Sequence, residues 1–207
     1  MNLQTGPNNT LERTAAPMQR IHRPLSFTTR LVIFAIAGQC LLGDLQAALQ
    51  REGDNVVLTD KPRCRFAWPE WDYTNISNPL LLTKNTLDRS MIGIMRIRAG
   101  DTLPRGKTKI TASMSTQQIS ALLRENVLGR GQRIDSVTAD NTTISGAPAV
   151  RLRFTEPKSP VRMRAVEYGF IKGRYFFYLL FSAVDDPDYA NVLKDFQRII
   201  STFKVLD

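Results

Sequence analysis

Residues 161–184, VRMRAVEYGFIKGRYFFYLLFSAV, decide the fold. They predict a β-hairpin, because two runs of strand-forming residues meet at Lys172-Gly173, which suits a tight turn. The second arm, residues 175–181, is apolar on both faces, which is typical of a central strand covered from both sides. The first arm changes parity near Ala165-Val166, which predicts either a bulge or a strand buried on both faces. The hairpin therefore requires other structural elements to pack on both faces of its sheet.

Two amphipathic helices are predicted to supply that cover. The first spans residues 115–128, with a capping box formed by Ser115 and Gln118. The second is predicted to start at the cap Asp186, with Pro187 in the first helical position. Its apolar side chains recur at helical spacing and predict a stripe that lies on the sheet. The stripe consists of Val192, Leu193, Phe196, Ile199, Ile200 and Phe203.

Further strands complete the predicted sheet. Residues 56–58 and 64–68 are predicted strands, and residues 91–98 alternate clearly between two faces. Residues 134–155 predict a pair of strands that turns around Asp140-Asn141. The order of strands, helix, antiparallel strands and helix predicts an α+β fold, in which helices pack on an antiparallel sheet.

The first 48 residues have the pattern of a secretory signal peptide. Residues 31–42 form a short apolar run behind a basic flank, and Gln46-Ala47-Ala48 offers small residues at a cleavage point. The run is shorter than the roughly 20 residues that a membrane-spanning helix needs. We expect cleavage after Ala47 or Ala48, and a mis-assigned start over residues 1–17. An uncleaved anchor and a lipoprotein attached at Cys40 are the alternatives.

Processing at that point would leave residues 49–207 as one domain of a size that can build its own core. Cleavage would also remove His22, the only histidine, and Cys40. Cys64 would then be the single cysteine, so no intramolecular disulfide could form. Its strand also carries Phe66 and Trp68 on the same face, which predicts a buried and inert thiol.

The sequence carries no pattern that predicts catalysis or a cofactor. It lacks a nucleophile elbow, a phosphate-binding loop and a zinc-spaced cluster, and the predicted mature chain has no histidine. We therefore expect no catalytic residue, no metal and no cofactor. A hydrolase that works without histidine stays open as an alternative.

Three local features resemble the Mog/PsbP-like fold, which includes the DcrB-type exported bacterial proteins. They are the turn Pro69-Glu70-Trp71, the strand at residues 146–154, and the aromatic hairpin followed by a helix that closes on residues 200–203. The resemblance spans residues 55–207. It implies the fold and a binding or assembly role rather than catalysis, but no residue-level function. The basic loop at residues 105–109 has no counterpart in the resemblance.

Basic residues recur in pairs two positions apart, and both members of such a pair share one face of a strand. If the strands are neighbours, six arginines would line one sheet face and bind carboxylate or phosphate groups. The simpler alternative is an ordinary solvated face. The pairs are Arg96/Arg98, Lys107/Lys109, Arg151/Arg153 and Arg162/Arg164, and the arginines are the candidate binding residues.

Two smaller patterns have structural explanations that we favour. The first is a group of acids that resembles helix-capping residues more than a cation site, because its spacing is not that of a twelve-residue calcium-binding loop; the group consists of Asp185, Asp186 and Asp188. The aromatic residues Trp68, Trp71 and Tyr73 are expected to pack in the core rather than to form a binding platform.

Charge and compartment together define the predicted function. The chain has a formal net charge of +9, and Lys and Arg outnumber Asp and Glu by 24 to 17 within residues 49–207. We expect a non-catalytic binding or accessory protein at the bacterial envelope, periplasmic or secreted. Its partner would be an acidic protein or an anionic envelope component, with peripheral membrane contact left open. Nucleic acid is not expected, because no recognised binding motif is present. A small-ligand or lipid carrier with a cavity under the terminal helix is the alternative.

Overall fold

The computed structural model describes residues 49–75, 78–84, 86, 89–131, 133–158 and 161–207. The predicted signal peptide and start site lie outside the described residues, and the export and processing of the chain stay predictions.

The described residues form two antiparallel sheets and two helices, which confirms the expected α+β class. The large sheet has the order β4-β5-β6-β10-β9-β8-β7, and the small sheet has the order β1-β2-β3-β11, as bounded here. The strands are β1 (Leu49–Glu52), β2 (Asn55–Leu58), β3 (Cys64–Ala67), β4 (Asp72–Asn75), β5 (Leu80–Thr83), β6 (Ser90–Arg98), β7 (Asp135–Ile144), β8 (Ala147–Lys158), β9 (Val161–Lys172), β10 (Tyr175–Val184) and β11 (Lys204–Val205); the helices are α1 (Thr116–Leu128) and α2 (Tyr189–Thr202).

Strand β10 is the central strand of the large sheet, as its sequence predicts. It pairs with β6 on one side and with β9 on the other. Phe177 and Phe181 point to one face and Phe176 and Leu180 to the other, and all four are buried. The pairing of β9 with β10 and β8 shows no register shift. Of the two alternatives for β9, the strand buried on both faces is therefore confirmed.

Helix α2 and the small sheet cover the first face of the large sheet. The ring of Phe196 lies 5.4 Å from that of Phe181 and 5.8 Å from that of Tyr168. Phe203 stacks on Phe66 of the small sheet at 6.0 Å. The predicted apolar stripe is thus confirmed, and burial of each large side chain stabilises the fold by about 1.5–3 kcal/mol.

Helix α1 covers the second face. Its predicted capping box is confirmed: the Gln118 N–H donates to Ser115 Oγ at 3.3 Å, and the Ser115 N–H donates to Gln118 Oε1 at 2.8 Å. Ile119 and Leu123 then pack over Gly169 of β9, where the helix approaches the sheet closely. Neither α1 nor α2, the helices within the described residues, has the length and apolar content to cross a membrane.

The predicted turn at Asp140-Asn141 is wrong. Both residues lie within β7, and the chain turns at Ser145-Gly146, which adopts φ values of 53° and 74°. Two successive residues in the left-handed backbone region match the twist of a two-residue hairpin, so the chain turns at this pair.

The predicted start of the second helix is also wrong. Helix α2 begins at Tyr189, because Asp186 forms a turn ahead of the helix instead of capping it. The Asp186 carboxylate accepts a hydrogen bond from the N–H of Asp188 at 3.0 Å. It also forms an ion pair with the Arg89 guanidinium at 2.6 Å. Asp188, which precedes the helix, makes no side-chain cap.

Replacing Gly169 with alanine is expected to lower the free energy of unfolding by about 1–3 kcal/mol. A Cβ atom there would lie 2.6 Å from Cζ of the fully buried Phe176 and would force α1 away from the sheet. Urea denaturation measures the loss. Gly93→Ala on β6 is the matched control, because its Cβ would make an ordinary 3.5 Å contact with Leu81. Equal stability of the two variants would contradict the close approach.

Candidate functional site

The six candidate arginines share one side of the large sheet but do not form one surface. The cross-strand register places Arg96 opposite Phe177 and Arg151 opposite Tyr168, both on the side that α2 and the small sheet cover. Strand β10 lies between β6 and β9, so the condition that the three strands are neighbours is not met. The condition under which six arginines would form one surface is therefore not fulfilled, although all six lie on the same side of the sheet.

Arg96 is engaged inside the fold. Its side chain is buried, and its Nη1 donates to the backbone carbonyl of Asp60 at 2.8 Å. The amide side chain of Asn78 also exchanges two hydrogen bonds with the Arg96 backbone. Arg96 thus connects β6 to the loop between β2 and β3, and it is not available to a partner.

Arg98 is exposed, but it lies at the opposite end of the sheet from Arg164. Arg98 is opposite Tyr175 and Arg164 is opposite Ala183. Eight residues of β10 separate those two positions, which is roughly 27 Å along a strand. Arg98 therefore belongs to a different part of the surface.

The remaining four arginines form a continuous surface on the neighbouring strands β8 and β9, which we call the arginine face. Two aspartates hold these side chains in place. Asp140 on β7 pairs with Arg151 at 3.1 Å and with Arg153 at 2.8 Å. Asp185 pairs with Arg164 at 3.4 Å and with Arg162 at 3.8 Å. The arginine face consists of Arg151, Arg153, Arg162 and Arg164, which are about one third to three fifths exposed.

The arginine face keeps an excess of positive charge, because each aspartate is shared by two guanidinium groups. Arg164 also lies over the ring of Tyr189, with its guanidinium carbon 4.1 Å from the ring centroid. Burial raises the pKa of the Tyr189 phenol, so this ring is neutral beneath the cation. Arginines held in this way present planar forks of N–H donors, which match carboxylate and phosphate oxygens.

Asp140, Asp185 and Tyr189 contribute to the face although the sequence did not single them out for this role. Asp140 was assigned to a turn, and Asp185 to a helix cap. Once the turn is placed at Ser145-Gly146, the cross-strand register puts Asp140 opposite Arg151. That register is the signal from which the ion pair between Asp140 and Arg151 could be predicted.

The Lys107/Lys109 pair is separate from the arginine face. Its loop is attached to α1, where the Glu125 carboxylate accepts the N–H groups of Lys107 and Thr108. A hydrogen bond from the Thr108 side chain has the largest effect on the pKa of Glu125, and it lowers this pKa together with the two backbone hydrogen bonds. The loop is thereby placed on the α1 side of the molecule, and α2 covers the opposite side.

A buried polar cluster lies between α1 and the large sheet. Arg130 donates to Glu156 at 2.7 Å and forms a closer ion pair with the fully buried Glu167. Burial raises the pKa of Glu167, and the Arg130 charge opposes that shift. The Tyr178 hydroxyl bonds to Glu167 and accepts from Asn126 at 3.2 Å. The cluster joins α1 to β8, β9 and β10, so it has a structural role.

Cys64 has the buried position that the sequence predicts. Burial raises the pKa of its thiol to about 12, with the Arg96 charge opposing the shift. The thiol is therefore protonated at neutral pH, and a protonated thiol is a poor nucleophile.

The remaining sequence patterns have different outcomes in the structure. Trp71 is buried, as core packing predicts, whereas Tyr73 is 60 % exposed and Trp68 is half-buried. Asp185 and Asp186 make ion pairs with arginines. Within the described part of the chain, no group of three or more His, Cys, Asp or Glu side chains is placed to hold a metal ion.

Neither a protein-family model nor a curated protein matches the chain. Solved structures do show similarity to it. The cyanobacterial PsbP of Synechocystis sp. PCC 6803 is 14 % identical, with a TM-score of 0.49 over 79 % of this chain and 96 % of that protein. LpqN of Mycobacterium tuberculosis, a protein involved in cell envelope biogenesis, is 9 % identical, with a TM-score of 0.44 over 77 % of this chain and 83 % of LpqN. PA94 of Pseudomonas aeruginosa, a protein of unknown function, is 13 % identical, with a TM-score of 0.42 over 73 % of this chain and 93 % of PA94. A PsbP protein is thus among the solved structures to which this chain is similar.

Replacing Arg130 with methionine is expected to lower the free energy of unfolding by about 3–5 kcal/mol, because Glu167 would lose its buried counter-charge. Chemical denaturation measures this loss. Arg133→Met is the matched control, since Arg133 is largely exposed and pairs with Asp135 at the surface. That variant should stay within about 0.5 kcal/mol of the unsubstituted protein. A similar small effect of Arg130→Met would show that the cluster is not structural.

The Cys64 thiol is expected to resist alkylation in the folded protein at pH 8, because it is buried and its pKa is raised to about 12. Mass spectrometry after treatment with iodoacetamide tests this, with and without denaturant. Labelling of the peptide that contains Cys64 should occur only in denaturant. Rapid labelling of the folded protein would mean that β3 opens readily.

Proposed function

We propose that this chain is an exported, non-catalytic accessory protein of the bacterial envelope that binds an acidic partner through the arginine face. The signal-like amino terminus supports export, and the absence of catalytic motifs from the sequence supports a binding role. A protein partner with surface carboxylates is the best fit, because paired guanidinium groups on a rigid sheet bind carboxylates bidentately.

The observation that carries the proposal is the ratio of charges on the arginine face. Four arginines share two aspartates, so the face has two positive charges beyond neutrality even with every ion pair formed. Asp140 and Asp185 also orient the guanidinium groups before a partner arrives. Pre-positioned charges increase the association rate and orient the partner, and salt weakens both effects.

The carrier hypothesis has less support than the binding hypothesis. A carrier was expected to use a cavity between the sheet and the terminal helix. Phe196 of α2 instead packs directly on Phe181 and Tyr168 of the sheet, and these rings occupy that space.

Reversing Arg153 and Arg164 to glutamate is expected to abolish capture of the partner from an envelope extract. Both side chains are half-exposed and near the middle of the arginine face, so the fold should tolerate the changes. Capture should also weaken in 1 M salt, where the Debye length is about 3 Å. Quantitative mass spectrometry of the captured proteins compares the variants.

The matched control reverses Arg124 and Arg174, two exposed arginines outside the arginine face, and changes the net charge by the same amount. It should capture the partner as the unsubstituted protein does. Equal loss in both variants would show that only net charge matters, and capture that survives the reversal of Arg153 and Arg164 would remove the arginine face from the function. Binding of anionic lipid vesicles without any captured protein would assign the face to the membrane surface.

A further inference from the structure

A second surface feature lies on the opposite edge of the large sheet from the arginine face. It is an open groove of about 730 Å³, a volume within the range of small-molecule sites. The groove is formed by β1, by the segment after β3 and by the edge strand β4. We call it the aromatic groove, and its lining consists of Arg51, Trp68, Glu70, Trp71, Asp72 and Tyr73.

The floor of the aromatic groove is held rigidly. Trp71 is buried, and its indole N–H donates to Asp195 of α2 at 2.8 Å. The same carboxylate oxygen accepts from Lys84 at 3.3 Å. The backbone N–H of Trp68 donates to the Asp54 carbonyl at 2.9 Å. The Trp71 ring and the backbone of Trp68 are therefore held in place before any ligand binds.

The rim of the groove carries two unusual features. Tyr73 is 60 % exposed, although most large aromatic side chains in the described residues are buried. Glu70 has a φ of 58°, in the left-handed region that residues with a Cβ seldom adopt. Such conformations persist where the surroundings impose them, and they concentrate at ligand sites. A glycine would be less strained here, yet the position carries a carboxylate.

The combination of lining groups selects one class of ligand. Trp68 and Tyr73 offer apolar ring faces above the buried Trp71, Glu70 and Asp72 accept hydrogen bonds, and Arg51 donates them. A sugar ring has an apolar C–H face and a rim of hydroxyl groups that both donate and accept. A metal ion would meet the guanidinium of Arg51, and a phosphate would meet two carboxylates.

We propose that the aromatic groove binds a neutral saccharide, whose ring stacks on Trp68 and Tyr73 while Glu70, Asp72 and Arg51 bind its hydroxyl groups. An uncharged ligand fits the lining best, because Glu70 and Asp72 would repel an anion and Arg51 would repel a cation. The open shape of the groove suits a chain of sugars that extends beyond it. This site is independent of the arginine face and of the function proposed for it.

Titration with neutral tetrasaccharides tests the proposal, with chitotetraose, cellotetraose and maltotetraose as the probes. The chain contains two tryptophans and both line the groove, so tryptophan fluorescence reports on this site directly. We expect a saturable change with at least one probe. Tyr73→Ala should weaken that binding by about tenfold or more, and Tyr73→Phe should retain it because the ring is kept.

Asp72→Asn on the rim should also weaken binding, whereas Asp101→Asn, at an exposed position outside the groove, should not. Tyr73 is exposed, so its substitution leaves the core intact, and circular dichroism verifies the fold of each variant. The absence of a response to all three probes would overturn the proposal. So would binding that survives Tyr73→Ala but is lost when Arg153 and Arg164 are reversed, because the saccharide would then sit on the arginine face.

Discussion

Strand β10 imposes the main constraint on this fold, because its large apolar side chains point to both faces of the sheet. Phe177 and Phe181 need cover on one face, and Phe176 and Leu180 need it on the other. Helix α1 covers one face, and α2 together with a separate small sheet covers the other. The arginine face and the aromatic groove lie on opposite sides of this covered centre, the first on β8 and β9 and the second beside the edge strand β4.

The same layering explains why similar residues have different roles. Arg96 and Arg164 lie on the same side of the sheet, but Arg96 is beneath the small sheet and Arg164 is beyond the cover. Arg96 donates to a backbone carbonyl and holds two layers together. The guanidinium of Arg164 lies over the ring of Tyr189 and is partly exposed to solvent. A buried arginine satisfied by carbonyl groups is structural, and an arginine that shares its aspartate can still accept a partner.

Local periodicity predicted the hairpin, the strand covered on both faces, and both helices, because these elements are long enough to show a repeat. Strands β1, β4, β5 and β11 were not predicted, since their two to four residues are too few to establish a period. The equally short β2 and β3 could be recognised because Asp60-Lys61-Pro62 separates two apolar runs. The shared face of each arginine pair followed from strand geometry. The order of the strands did not, because the insertion of β10 between β6 and β9 depends on packing far along the chain. The turn at Ser145-Gly146 was missed for a local reason, since Asp140-Asn141 carries an equally strong turn signal.

The pairing of β3 with β11 has a kinetic consequence. Val205 lies opposite Cys64, so this contact joins the beginning of the described chain to its end. Ring closure over such a distance is entropically slow compared with the formation of the β9–β10 hairpin, whose arms are adjacent in sequence. Phe203, which stacks on Phe66, arrives with the same segment. We therefore expect the small sheet to be completed after the large one, so that Cys64 becomes protected late in folding.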